Sequence, residues 1–288
     1  MVLMWAFNFI VVKITLLHFD AITLAAFRLV LAGLIMLPIY LLAPRARGFE
    51  RHDFWTLAVL SFFGAVVNQG CFTIGLSFTT AGHSSIVVGM APVMILLLAR
   101  AYGLERLTPA KVSGMALSFC GVTILALENG FHLRSGTLAG DLITLIGSTG
   151  FALYTVYGKK VAGKYDSISV NAFNALAGAI LLTPLAVWRG LRLDWAGVGW
   201  AGWAGIAYMA AFSSVTAYII FYWALRYMAA SRLATITYAE PVVVVLLAIL
   251  LLGEKLTVSL LVGGLLVLGG VYLSERGGAV EGVPPDIP

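Results

Sequence analysis

The sequence predicts an all-α, polytopic membrane protein of ten transmembrane helices, built from two inverted five-helix repeats. Three observations predict it. Hydrophobic residues make up 61% of the 288 and only 11% are charged, whereas soluble domains run at about 45–50% apolar and about 25% charged. Apolar windows recur along nearly the whole chain, many of them near the roughly 20 residues that a bilayer crossing requires. The chain also aligns with itself in two registers.

Charged, Gly and Pro clusters break the apolar windows into ten segments. They run over 1–17, 21–43, 54–77, 80–102, 109–127, 137–158, 167–188, 198–226, 229–252 and 257–274. The first has no basic stretch ahead of it and no small-residue cleavage site, so it reads as a helix of the mature chain. Residues 275–288, "ERGGAVEGVPPDIP", are Gly/Pro-rich and are expected to form a disordered tail. Cys71 and Cys120 fall in separate apolar windows and imply no disulfide framework.

Positive charge orients the bundle. With the N-terminus inside, the inner loops hold twelve Lys and Arg residues (Arg45, Arg47, Arg51, Arg100, Arg106, Lys111, Lys159, Lys160, Lys164, Arg226, Arg232, Arg276). The outer loops hold four: Arg134, Arg189, Arg192 and Lys255. Both termini are therefore expected in the cytoplasm of a multi-pass inner-membrane protein. The net charge of +5 resides in these loops and does not point to nucleic acid.

The duplication shows as matched residues in two registers, and the paired Pro and Glu set it apart from chance matching of Leu-, Ala- and Gly-rich helices. Shifted by 149, Phe72, Leu76, Ala81, Pro92, Glu105, Leu107, Gly114 and Gly121 fall on Phe221, Leu225, Ala230, Pro241, Glu254, Leu256, Gly263 and Gly270. Shifted by 146, Ala6, Lys13, Asp20, Phe27 and Pro38 fall on Ala152, Lys159, Asp166, Phe173 and Pro184. The repeats are placed at 1–127 and 137–274. An odd number of helices per unit inverts the second copy, an arrangement that in transporters puts a site between the repeats near the midplane.

Two stretches carry a resemblance. "MWAFNFIVVK", with Trp5, Asn8, Phe9 and Lys13, resembles the W-G-x-N-F-x-x-x-K opening of EamA-type members of the drug/metabolite transporter superfamily, with Ala6 where Gly is usual. "EPVVVVLLAILLLGEKLT", from Glu240 to Thr257, resembles that family's E-P…G-E-x-L segment, and "APVMILLLARAYGLERLT" is its first-copy form with Ala91 in place of the acid. Only four residues precede Trp5, whereas about ten apolar residues precede its counterpart Phe151, so the inner end of the first helix is expected to be short. The resemblance implies a cavity lined by helices one to four and six to nine. It also implies a secondary transporter exporting a small metabolite, best matched by an amino acid or derivative, by alternating access. Drug efflux and a non-saturable pore are the alternatives.

Charged and polar residues inside the apolar segments are the candidate site, because intramembrane ionisable groups are costly and tend to be functional. At 1.5 Å per residue, Glu240 lies about 12 Å below the outer surface, Lys13 and Arg28 about 10–12 Å, and Asn68 and Gln69 about 12–14 Å. Glu240 is expected to face a cavity, to pair with Arg28 or Lys13, and to serve as a proton-coupling residue with Lys13. Arg28 suits a substrate carboxylate, although a lysine such as Lys13 can also snorkel to the interface. Asn8 needs a partner within a helix. Trp5, Tyr154, Tyr218, Tyr222, Tyr238, Ser213, Thr216 and Thr237 are expected to shape the pocket. Pro92 and Pro241 each remove a backbone donor, freeing the carbonyls of Val88 and Thr237 and marking gating kinks.

Other residues read as structural. Glu105 and Glu254 belong to interfacial turns ahead of the caps Thr108 and Thr257. Gly114/Gly121 and Gly263/Gly270 recur every seven residues on one face, for packing within the chain or for oligomerisation through helices five and ten. His18, His52, His83 and His132 are scattered, with no metal-ligand spacing. No Walker A pattern, cofactor motif or nucleophile–base constellation is present, which disfavours direct ATP use and a membrane enzyme. The expected partners are a small-molecule substrate, the lipid bilayer and protons.

Overall fold

The structure, a computed structural model, describes residues 1–43, 49–102, 108–126, 136–227, 233, 237 and 239–276. The loop cations Arg45, Arg47, Arg106, Arg134 and Arg232, together with Glu105, His132, Tyr238 and the tail beyond 276, lie outside them. Among the described residues every regular element is helical: α1 (Val2–Thr15), α2 (Ala21–Leu42), α3 (Arg51–Phe78), α4 (Ala81–Val88), α5 (Ala91–Ala101), α6 (Pro109–Ala126), α7 (Gly136–Ala162), α8 (Ser167–Gly190), α9 (Trp200–Tyr227), α10 (Ala239–Leu252) and α11 (Val258–Arg276). Six spans are long and apolar enough to cross a membrane, and they are α2, α3, α4 with α5 as far as Leu98, α7, α8 and α9. Shorter apolar helices cover Val2–Thr15, Ala239–Leu252 and Val258–Leu273. The chain is an all-helical membrane protein.

Caps set the starts where the sequence places them. The Asp20 carboxylate accepts from the N–H groups of Ile22 and Thr23 at 3.1 and 3.0 Å, and Asp166 accepts from Ser169 N–H at 2.9 Å. Thr80, Thr108 and Thr257 cap α4, α6 and α11 through the N–H groups of His83, Lys111 and Leu260. Each cap satisfies a backbone donor that has no partner within the helix. Gly253, at φ 66°, closes α10, a conformation glycine adopts without the Cβ penalty. The turn delivers the Glu254 carboxylate to the N–H groups of Ala81 and Gly82, at 2.7 and 3.0 Å. Glu254 thus belongs to the turn between α10 and α11 and also pins the start of a different helix.

Three expectations change. The helices read as 54–77 and 198–226 are continuous but contain π-helical segments, Phe62–Gly70 and Met209–Thr216. The helix read as 80–102 breaks at Gly89–Met90, so Pro92 sits in the first turn of α5 rather than kinking a helix interior. Pro241 likewise lies in the first turn of α10, and the Thr237 carbonyl is not freed, because it accepts Glu240 N–H at 3.0 Å. The physical reason is shared: an early position spares the i−4 carbonyl that a mid-helix proline would orphan.

The glycine face of α6 closes within the chain. A Cβ on Gly121 would meet the Gly263 carbonyl oxygen at 2.5 Å, and one on Gly270 would meet the Gly114 carbonyl oxygen at 2.4 Å. Neither backbone can yield. Gly121→Ala is therefore expected to destabilise the folded protein by about 1–3 kcal/mol, read as a lower melting temperature in detergent. Gly269→Ala, whose new methyl would find its nearest neighbour at 4.0 Å, should be neutral or mildly stabilising. Equal effects of the two would refute the close approach.

The bundle has two ends. One carries Asp20, paired with Arg189 at 3.6 Å. At the opposite end Lys164 bridges the carboxylates of Glu50 and Asp53, both at 2.6 Å. Hydrogen bonds to Asp53 and Glu50 hold the Lys164 ammonium well above its usual range. Large exposed apolar side chains such as Leu34, Ile180 and Leu250 suit contact with lipid tails.

Candidate functional site

A cavity of about 730 Å³, its open mouth included, lies between the helices. Part of its polar wall comes from the two π-helical segments. The wider π turn re-aims side chains, as such insertions often do at functional sites, and here it presents Asn68 and Gln69 from α3 and Ser213 from α9. Gly64 permits the packing around the first segment, since a Cβ there would fall 2.3 Å from the Tyr154 ring.

Arg28, on α2, is 2% exposed. Its Nε donates to Ser214 Oγ at 3.0 Å and its Nη2 to Ser213 Oγ at 3.1 Å. Ser214 passes the chain on, donating to Gln69 Oε1 at 2.7 Å. Arg28 Nη1 has no partner, and it belongs to a buried side chain on the cavity wall. Asn8 Oδ1 and Thr144 Oγ1 are also buried atoms of cavity-lining residues and have no partner among the described residues. An unsatisfied buried polar atom costs about 1–3 kcal/mol, so three around one cavity indicate room for a polar ligand.

Glu240 supplies the opposite charge. It lines the same cavity and is 6% exposed. The expected ion pair is absent: no described Lys or Arg lies within 4.0 Å of its carboxylate. Arg28 is turned to the serines instead, and Lys13 donates to the Thr79 carbonyl at 2.5 Å. That carbonyl ends α3, where a cation is favoured by the helix dipole. Lys13 is thereby withdrawn from the cavity wall.

The remaining wall is aromatic. Trp5 packs edge-on to Phe151 and Tyr218, with centroids at 5.9 and 5.5 Å, and its Nε1 donates to the Ser213 carbonyl at 3.2 Å. Asn68 Nδ2 donates to the Tyr218 hydroxyl at 3.1 Å. Phe9 and Phe72 meet at 4.8 Å.

The structure thus brings together Trp5, Asn8, Arg28, Asn68, Gln69, Ser213, Tyr218, Thr237, Glu240 and Pro241. It leaves others out. Tyr154 and Tyr222 are fully buried against one another at 5.2 Å, off the cavity. Thr216 bonds the Ala211 carbonyl of its own π segment, and Pro92 lines only a small adjoining pocket. Sequence reasoning missed Ser214, Thr144 and Ser148. The Ser213–Ser214 doublet was the available signal for the first, but isolated hydroxyls in apolar helices carry none for the others. It also found no metal cluster, whereas Glu50, His52 and Asp53 bring one donor atom each within 4.8 Å of one another. Lys164 already supplies the positive charge between the two carboxylates there.

Comparisons with known proteins agree with this architecture. The family model for the EamA-like transporter family matches twice, over residues 1–127 and 138–276. An uncharacterized transporter of Archaeoglobus fulgidus is 29% identical, over 94% of this chain and 93% of its own. The uncharacterized transporter YvbV of Bacillus subtilis is 26% identical, over 95% and 88%. A probable terminal-alkyne amino-acid exporter of Streptantibioticus cattleyicolor is 27% identical, over 96% and 91%. One protein of known crystal structure superposes with a TM-score of 0.65 at 18% identity, over 95% of this chain and 97% of its own, a likeness of fold alone.

Proposed function

Because the chain belongs to the EamA-like transporter family, we propose that it exports a small zwitterionic metabolite, an amino acid or derivative, across the inner membrane by alternating access. One observation carries this reading. A buried guanidinium with a spare donor and a buried carboxylate with no described Lys or Arg in ion-pair distance share one cavity and are not paired with each other. A substrate carboxylate would complete Arg28 at Nη1, and a substrate ammonium would complete Glu240 and the Asn8 amide oxygen. The similarity to an amino-acid exporter supports the same substrate class.

Ten helices in two inverted repeats supply the mechanism. Several equivalences support the duplication. The family model matches once per half. Asp20 and Asp166 each cap a helix. Lys13 reaches the Thr79 carbonyl as Lys159 reaches the Leu225 carbonyl, the second at 2.6 Å. A π-helical segment interrupts the corresponding helix of each half, at Phe62–Gly70 and Met209–Thr216. Halves related in this way can rock about a fixed midplane site.

The test is flux into proteoliposomes with a panel of amino acids, with and without a pH gradient. Saturable, counter-exchangeable flux of amino acids is expected; flux linear in concentration would indicate a pore, and selective flux of hydrophobic cations a drug exporter. Orientation is tested separately. Accessibility tags after Arg51, Lys164 and Arg276 should report cytoplasm, and tags after Arg134 and Arg192 the outside. The reverse pattern would overturn the positive-inside assignment.

A further inference from the structure

A second buried ionisable cluster lies away from the cavity, at the Asp20 end of the bundle. His83, in the first turn of α4, and Asp141, in the first turns of α7, are 5% and 4% exposed. The His83 Nδ1 lies 3.4 Å from one Asp141 oxygen, and the other oxygen accepts the Thr79 hydroxyl at 2.7 Å. The Thr79 carbonyl in turn holds Lys13, and Glu254 holds the N–H groups of Ala81 and Gly82. Four ionisable side chains on α1, α4, α7 and the α10–α11 turn therefore meet around the start of one short helix. With His83 neutral their formal charges sum to −1; with it protonated they sum to zero. Histidine is the side chain whose ordinary range makes this change near neutral pH.

We propose that His83 and Asp141 form a proton-binding site, outside the substrate cavity, that latches α4 against α7. Protonation converts a hydrogen bond into an ion pair at a site with little water to screen it. The consequence reaches the cavity through the helix itself. Residues 81–87 are buried throughout, and α4 ends at the Gly89–Met90 break, where Val88 and Gly89 form part of the cavity wall. Gly89 abuts Pro241, since a Cβ there would lie 3.0 Å from the proline Cγ. A rigid segment with a proton site at one end and, at the other, Gly89 in contact with Pro241 beside Glu240 can pass a change of pH to the substrate site. The other titratable groups on elements packed against α4 lie elsewhere. Glu240 is at the cavity end, and Lys111 starts α6 at the opposite end of the bundle. Tyr154, Tyr157 and Lys159 of α7 and Tyr272 of α11 lie along those helices toward that same opposite end. His18 shares the Asp20 end but packs against Gly199 and Gly202.

Hydrogen exchange on the substrate-free protein in detergent tests this without reference to any cargo. After correction for intrinsic exchange, the amides of residues 79–90 should be about tenfold better protected at about pH 5.5 than at about pH 8. The sign follows from the pair: the added stability is present while His83 holds its proton and disappears as pH rises. His83→Asn and Asp141→Asn should flatten the difference, while His18→Asn and Glu240→Gln should keep it. Nitrogen NMR of the His83 imidazole should titrate with the same midpoint as the exchange. Equal protection at both pH values in the unmutated protein, a shift that survives His83→Asn, or mismatched midpoints would each overturn the proposal.

Discussion

Arg28→Ala is expected to abolish saturable transport while leaving a folded, monodisperse protein in detergent. The guanidinium makes three separable contributions. Its Nε and Nη2 bonds orient Ser214 and Ser213, Ser214 holds Gln69, and Nη1 is left for a ligand. Truncating one partner of a buried, hydrogen-bonded charge pair costs about 2–5 kcal/mol, so affinity for a carboxylate substrate should fall by roughly a hundredfold or more. Stability should suffer less, because alanine also removes a buried charge that lacks an anionic partner among the described residues. Arg28→Lys separates charge from geometry. A lysine cannot satisfy both serines and a carboxylate in one plane, so it should retain weak transport with a raised KM. Full transport by the alanine variant, measured as counterflow of a labelled amino acid, would make Arg28 a structural residue and remove the anion half of the site.

The layer of candidate residues was legible because each violates the apolar pattern around it. Arg28, Glu240, Asn68 and Gln69 stand out in windows of Leu, Val and Ala, and helical rise alone put them at one depth. What joins them was not legible. Which partner Arg28 takes depends on a rotamer and on two π-helical segments, and π insertions have no composition that distinguishes them from ordinary helix. The unmet pairing of Arg28 with Glu240 follows, since the serines that intercept Arg28 come from such a segment. Depth also misled for Lys13, which shares the layer by count but spends its charge on the end of α3. Fold-level features fared better where a single residue type is demanded. Of the glycines that recur every seven residues, Gly121 of α6 and Gly270 of α11 sit where no side chain fits. The sequence shows His83 only as one of four scattered histidines and does not mark Asp141 at all, because neither belongs to a motif. Only the fold brings two residues 58 positions apart into contact.

Glu240→Gln is expected to spare amino-acid exchange at equal pH on both sides and to remove its acceleration by a pH gradient. A carboxylate with little exposure and no Lys or Arg within ion-pair distance among the described residues is costly if left charged. Two states relieve the cost: a proton on the acid, or a bound substrate ammonium beside it. If these exclude each other, substrate arrival expels the proton and substrate departure recovers it, which is coupled antiport. The other repeat carries Ala91 at the matching position, so a single acid would be shared by inward- and outward-facing states. Glutamine preserves shape and can accept a hydrogen bond from an ammonium, but it cannot cycle between charge states. Exchange should therefore persist, with affinity weakened by about tenfold for the loss of a charged partner. Net export should no longer respond to the gradient. Proton flux measured with a pH-sensitive dye in the same vesicles should become independent of added substrate. If the glutamine variant keeps substrate-driven proton flux, coupling lies elsewhere, and the retained response should then be lost in His83→Asn. If both variants keep it, neither buried site carries the proton.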